Sequence, residues 1–259
     1  MKKNIKLIIT MLVVTMSMML LGGCGEKESD KLVVGTSADY PPYEFHKMID
    51  GKDTIVGFDM DIAKSIADDL GVELEIVDIE FSGLLAALGA GKIDMIVAGM
   101  SPNEERKKSV DFSDIYYKAE HSVVMRKDDA GSIKTTDDLE GKVIGVQLGS
   151  IQEGVAETNI TKAKEIKKVS KIPDLVLMLK NNKIDAIVME VPVAEAYTND
   201  MEEIAMTELT LQDEEGGSAV AVKKNNQEFV TEINKTLKKL TEENKINEFY
   251  AEAVKIAAE

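Results

Sequence analysis

Seventeen residues, LLAALGAGKIDMIVAGM (84–100), return 91 positions later as LVLMLKNNKIDAIVMEV (175–191), and Leu84, Leu88, Lys92, Ile93, Asp94, Ile96 and Val97 meet identical residues there. In each copy leucines spaced four apart give way, across a short polar turn, to a β-branched run. That is the pattern of a helix leading directly into a buried strand. The flanking sequence follows the same plan. KLVVGTS (31–37) and VELEIVDI (72–79) read as strands, and DMDIAKSIADDLG (59–71) sets Ile62, Ala63, Ile66 and Leu70 on one helical face, with Gly71 as a C-terminal cap. Ser82 is placed to cap the helix GLLAALGAG. Later KVIGVQL reads as a strand, SIQEGVAET and KIPDLVLMLKNNK as helices, and IDAIVME as a strand. Alternation of this kind predicts an α/β fold with largely parallel sheets, and the repeat predicts two lobes of similar construction. The C-terminal stretch reads as two helices parting near Glu243 and Asn244, the first with an apolar stripe of Phe229, Ile233, Leu237 and Leu240.

The chain begins differently. Lys2, Lys3 and Lys6 precede an apolar run from Leu7 to Leu21. This is a secretory leader by pattern; a membrane anchor is the alternative, since the run is slightly short of the ~18 apolar residues a span needs. LGGC (21–24) favours the leader, because small residues before a cysteine resemble the bacterial lipoprotein signal, cut before Cys24 and lipidated on it. Cys24 is the only cysteine, so no intrachain disulfide forms and an exported domain must rely on its core. Loss of residues 1–23 takes away three lysines, leaving 28 basic residues against 47 acidic ones and a net charge of −19. Such a surface repels phosphate backbones and argues against nucleic-acid binding. Residues 25–30, GEKESD, read as a tether.

Ligands of open α/β sheets bind beyond the carboxyl ends of the strands. Those ends are Ser37 to Tyr40, Phe81 and Gly99 to Ser101 in the first half, and Gly149 to Ile151 and Glu190 in the second. The offset of 91 pairs Gly99 with Glu190. Ser101 suits a helix N-cap, Pro102 the first helical position, and Glu104 and Glu105 the first turn. Arg106 then adds a planar bidentate fork suited to a carboxylate. It is one of only two arginines among 31 basic side chains, and Lys107 and Lys108 beside it supply charge without that geometry. On the residues alone Arg106 is either this fork or a surface arginine paired with Glu105 or Asp111.

Four segments, GTSADYPPYEF (35–45), GFDMDIAKSIA (57–67), AGMSPNEERKKSVDFSDIYY (98–117) and GVQLGSIQE (145–153), together resemble the extracellular solute-binding proteins of polar amino-acid ABC transporters. The resemblance runs from Lys31 to about Ala257. It implies a two-lobed, periplasmic-binding-protein-like type II fold, each lobe a mostly parallel sheet flanked by helices. Residues 31–115 and 219–259 would form lobe 1 and 121–213 lobe 2, joined by hinges at 116–120 and 214–218. It implies an L-amino acid held between the lobes, its carboxylate on Arg106 and Ser101, with Ser150 and the Ile151 amide helping from lobe 2. The ammonium would meet the Gly99 carbonyl and Glu190, which stands where relatives usually carry Asp; an ordinary strand-end surface residue is the other reading of Glu190. Tyr40 and Phe81 match positions that sandwich the ligand side chain; packing within the lobe is their other reading, and it is the reading for Phe58.

Ser37 falls where relatives selective for cationic or amide side chains place Asp. Met100 and Gln147 would line the side-chain pocket or pack. A polar or cationic ligand is expected, with arginine, lysine, histidine or glutamine favoured. The implied protein is a monomeric, lipid-anchored, extracytoplasmic component that delivers its cargo to an ABC permease and its ATPase. No cofactor or metal is implied. An amino-acid sensor and a dehydratase on the same fold are the rivals; His46, read as loop, and His121, read as the start of a strand near the hinge, give an enzyme little to work with.

Overall fold

The computed structural model describes residues 31–199, 201–211 and 216–259. The expected leader, the expected lipid acceptor Cys24, the expected tether and residues 214–215 of the expected second hinge lie outside them. Two five-stranded sheets carry the architecture. The first has the order β5-β1-β6-β13-β7, from β1 (Lys31–Thr36), β5 (Glu73–Asp78), β6 (Met95–Ile96), β7 (Val110–Phe112) and β13 (Ala221–Lys223). The second repeats it as β10-β9-β11-β8-β12, from β8 (His121–Arg126), β9 (Val143–Gln147), β10 (Glu165–Val169), β11 (Ala186–Glu190) and β12 (Ile204–Leu211). A small antiparallel sheet of β2 (Asp39–Tyr40), β3 (Glu44–Ile49) and β4 (Lys52–Val56) flanks the first. His46 therefore lies in a strand rather than a loop, because the DG turn at Asp50 and Gly51 folds its segment into a hairpin.

Four strands of each large sheet run the same way and one, β13 or β8, is reversed. Both reversed strands are the first the chain enters after passing from one sheet to the other. The chain leaves β7 and β12 at their carboxyl ends and re-enters from that same side, so the next strand must run backwards. The two passages pair with each other: the Tyr116 and Ser218 amides donate to the Ser218 and Tyr117 carbonyls at 2.9 and 2.7 Å.

The 91-residue repeat occupies equivalent places in the two sheets. Helix α1 (Phe58–Leu70) ends on Gly71 in the left-handed conformation and buries Phe58, Ile62, Ala63 and Ile66. Helices α2 (Leu84–Gly89) and, in the second half, α6 (Ile172–Lys180) are the repeated ones. Their leucines, Leu84 and Leu88 against Leu175 and Leu179, are all buried, each worth about 1.5–3 kcal/mol of apolar burial. The shared aspartates close the central strand: Asp94 accepts the Val33 amide and Asp185 the Val143 amide, both at 2.8 Å. A Cβ on Gly35 would lie 2.3 Å from the Ile93 side chain, and one on Gly145 2.6 Å from that of Ile184, so glycine is what lets each helix–strand unit close on its sheet.

Ser82 does not cap α2. It lies in a 3-10 turn over Phe81–Gly83, and Gly83 stands at the cap position without a side-chain bond. The other helices are α3 (Glu104–Lys107), α4 (Lys127–Ala130), α5 (Ile151–Asn159), α7 (Val191–Thr198), α8 (Gln227–Glu242) and α9 (Lys245–Ala257). Around the first passage Phe58 packs against Tyr43, Tyr116, Tyr117 and Tyr250, with ring centroids 4.5–6.3 Å apart.

Candidate functional site

The carboxyl ends of the two sheets face a common, closely lined cavity, the place where ligands of open α/β sheets bind. Ser37, Tyr40, Glu44, Phe81, Gly99, Ser101 and Arg106 line it from the first half, and Gln147, Ser150, Ile151 and Gln152 from the second.

Arg106 is only 6% exposed. Its Nη1 donates to the Ser101 carbonyl at 2.6 Å and its Nη2 to the Gly149 carbonyl at 2.9 Å, one from each side of the cavity. Its guanidinium carbon lies 5.4 Å from the centroid of Phe81, a cation–π arrangement. A planar cation meets two carbonyls and a ring face together; an ammonium would not. The surface reading, with Glu105 or Asp111 as partner, falls away: Glu105 pairs with Lys108 and Asp111 with Lys224.

Local chemistry sets this arginine differently from expectation. The cap of α3 is Asn103 rather than Ser101, and its side-chain oxygen accepts the Arg106 amide at 2.8 Å. Ser101 and Pro102 lie before the cap, and Ser101 is buried on the cavity wall. Nearby, Gly99 takes a positive φ of 55°, and its amide donates to the buried carboxylate of Asp59 at 2.7 Å. Asp59 also accepts the Tyr116 hydroxyl at 2.8 Å. Burial pushes Asp59 up to about 6, against the pull of the Gly99 amide and Tyr116 hydroxyl.

Two expected residues stand elsewhere. Met100 is buried in the apolar cluster with Leu84, Leu88 and Ile96 and does not line the cavity. Glu190 is buried at the end of β11 but is absent from the cavity wall; its carboxylate accepts the Tyr43 hydroxyl.

Sequence reasoning missed two acids. Glu44 lines the cavity, is fully buried, and neither of its oxygens meets a hydrogen-bond donor. Burial first, then the neighbouring Asp59 carboxylate, hold its pKa well above the ordinary range. Asp39 also reaches the wall and accepts the Ser37 hydroxyl at 3.4 Å. The signal was present in SADYPPYEF, where two acids flank the expected aromatic within an otherwise apolar segment. Ser150 is a further orphan: its buried hydroxyl faces the cavity with no partner. Tyr40 receives a bond from the Gln152 amide at 3.2 Å across the cavity. Among the described residues no group of side chains is arranged to hold a metal ion, and no helix is long and apolar enough to cross a membrane.

A buried polar cavity between the opposed strand ends of two sheets is a place for a small ligand. The chain belongs to the bacterial extracellular solute-binding proteins, family 3, whose model matches residues 32–255. It is 40% identical over 230 residues to the arginine-binding extracellular protein ArtP of Bacillus subtilis, covering 85% of this chain and 87% of that one. It is 38% identical to the "Probable histidine-binding protein" of Campylobacter jejuni, covering 86% and 83%. Among solved structures it resembles the L-arginine-bound amino-acid ABC transporter substrate-binding protein AbpA of Streptococcus pneumoniae, with a TM-score of 0.85, 35% identity and coverage of 88% and 96%.

Proposed function

We propose that this protein captures a free L-amino acid with a cationic side chain, arginine foremost, between its two lobes and passes it to an ABC permease. The observation that carries the reading is the polar lining: the Glu44 side chain, buried beside the Asp59 carboxylate, meets no donor, and the Ser150 hydroxyl is buried against the cavity without a partner. Unpaired buried groups are costly, and a ligand carrying both ammonium and carboxylate groups meets them. Arg106 with Ser101 takes the α-carboxylate, and Ser150 and the Ile151 amide at the start of α5 add donors from the second lobe. The Gly99 carbonyl and Glu44 serve the cationic groups. Tyr40 supplies an aromatic face to the ligand side chain, and Gln147 a polar edge. Glu190 acts from behind, through Tyr43.

Ser37 leaves no counter-charge of its own; Glu44, kept protonated by burial and by Asp59 in the empty protein, supplies one when a cationic ligand takes the place of its proton. The names of the similar proteins, arginine-binding above all, favour the same ligand. Closure by rotation about the paired passages near 116–120 and 216–218 would seal the cavity. The leader pattern and Cys24 support a lipid-anchored, extracytoplasmic site of action, and the family supports binding rather than turnover.

A thermal-shift screen against the twenty amino acids tests the ligand. A compound that binds only the folded chain raises its melting temperature. L-arginine is expected to give the largest shift, with lysine or histidine following. A larger shift with aspartate or leucine would overturn the cationic assignment.

A further inference from the structure

Asp39 belongs to the first half of the molecule, yet three elements of the second half converge on it. Its Oδ2 accepts the Ile172 amide at 2.9 Å, the first N–H of the nine-residue helix α6. That helix has Lys171 at its own cap position and no capping side chain, so its N-terminal donor is satisfied from across the molecule. The backbone carbonyl of Asp39 accepts the Tyr197 hydroxyl of α7 at 2.8 Å. Gln147, at the end of β9, reaches Oδ1 at 3.4 Å. An anion at a helix N-terminus is favoured by the free N–H groups and the dipole together. All three contacts exist only while the halves are together.

We propose that Asp39 is an interlobe latch, a positioning residue that sets how readily the empty protein closes and thereby sets affinity without gripping the ligand. The inference rests on the binding reading above. Apparent affinity scales with the fraction of molecules in the binding-competent state. Breaking a bond that only the closed form makes lowers that fraction. Opening leaves the α6 terminus and the Tyr197 hydroxyl to water, so the latch adds a ligand-independent bias toward closure. Its partner Tyr197 is not on the cavity wall, which allows the bias to be altered without touching the site.

The test uses the full chain and its Asp39→Ala and Tyr197→Phe variants, with L-arginine as the probe in calorimetry. Spin labels, one on each lobe, report the ligand-free distance distribution. Asp39→Ala is expected to bind roughly tenfold more weakly and Tyr197→Phe about threefold, the size of one charged and one neutral hydrogen bond. Both distributions should move toward longer distances. Weakening in Asp39→Ala alone, with its distances unchanged, would make Asp39 a ligand contact and overturn the latch; so would two variants that match the wild type. A wild type that binds no arginine refutes the ligand reading instead, and the ligand-free distances still decide the latch.

Discussion

Arg106 and Arg126 are the two arginines of a lysine-rich chain, and both are used for shape. Arg126 ties the carbonyls of Leu179 and Ile184 to the carboxylates of Asp129 and Asp185 at the end of α6. Arg106 does the same between the two sides of the cavity. Lysine cannot span two acceptors in a plane while lying over a ring. Arg106→Lys is therefore expected to leave the empty protein folded, with a somewhat lower melting temperature, and to weaken L-arginine binding severely in calorimetry. Losing a partner of a buried charge costs about 3–5 kcal/mol, which is at least a hundredfold in affinity. Affinity within a few fold of wild type would remove the arginine from the binding role. Its oddity was legible in the composition. Glu44 was not, because one glutamate among 47 acidic residues carries no mark of burial until the fold surrounds it.

At the scale of elements, the repeat was read correctly as a helix–turn–strand unit, and the structure explains its identities one by one. Leucines fill each lobe, isoleucine packs over a strand glycine, and aspartate takes a strand amide. Short elements were harder. Helix α3 is a single turn, and choosing between Ser101 and Asn103 as its cap depended on where the chain leaves extended geometry, which two capping residues so close together do not decide. Asn103 now makes a prediction. Asn103→Ala removes the bond to the Arg106 amide and costs about 1 kcal/mol. The melting temperature should fall by roughly 2–4 °C, with weaker ligand binding because the turn that carries the guanidinium frays. Unchanged binding in calorimetry would show that Ser101 and Phe81 hold the arginine without the cap.

For the whole molecule, buried acids link stability to pH. Asp59, pushed up to about 6, keeps its proton in the native state over a range where the unfolded chain, near 3.8, has lost it. Between those values the native state binds more protons, so stability falls as pH rises from about 4 to about 6 and then levels. Asp59 alone contributes on the order of 3 kcal/mol to this trend, and Glu44 acts in the same direction. The strong negative charge adds self-repulsion that acidification relieves. Urea unfolding of the ligand-free protein should give a higher midpoint at pH 5 than at pH 7; a flat or inverted profile would contradict the burial of these acids. The sequence by itself determined the two α/β lobes, the repeated unit and most of the strand ends that line the common cavity, because periodicity and glycine placement are local properties. Tertiary structure alone decided that Glu190 turns to Tyr43, that Glu44 faces the cavity unpaired, and that Asp39 caps a helix of the other lobe. The first and last of these depend on residues 147 and 133 positions apart being brought within a few ångströms, a closeness no local pattern encodes.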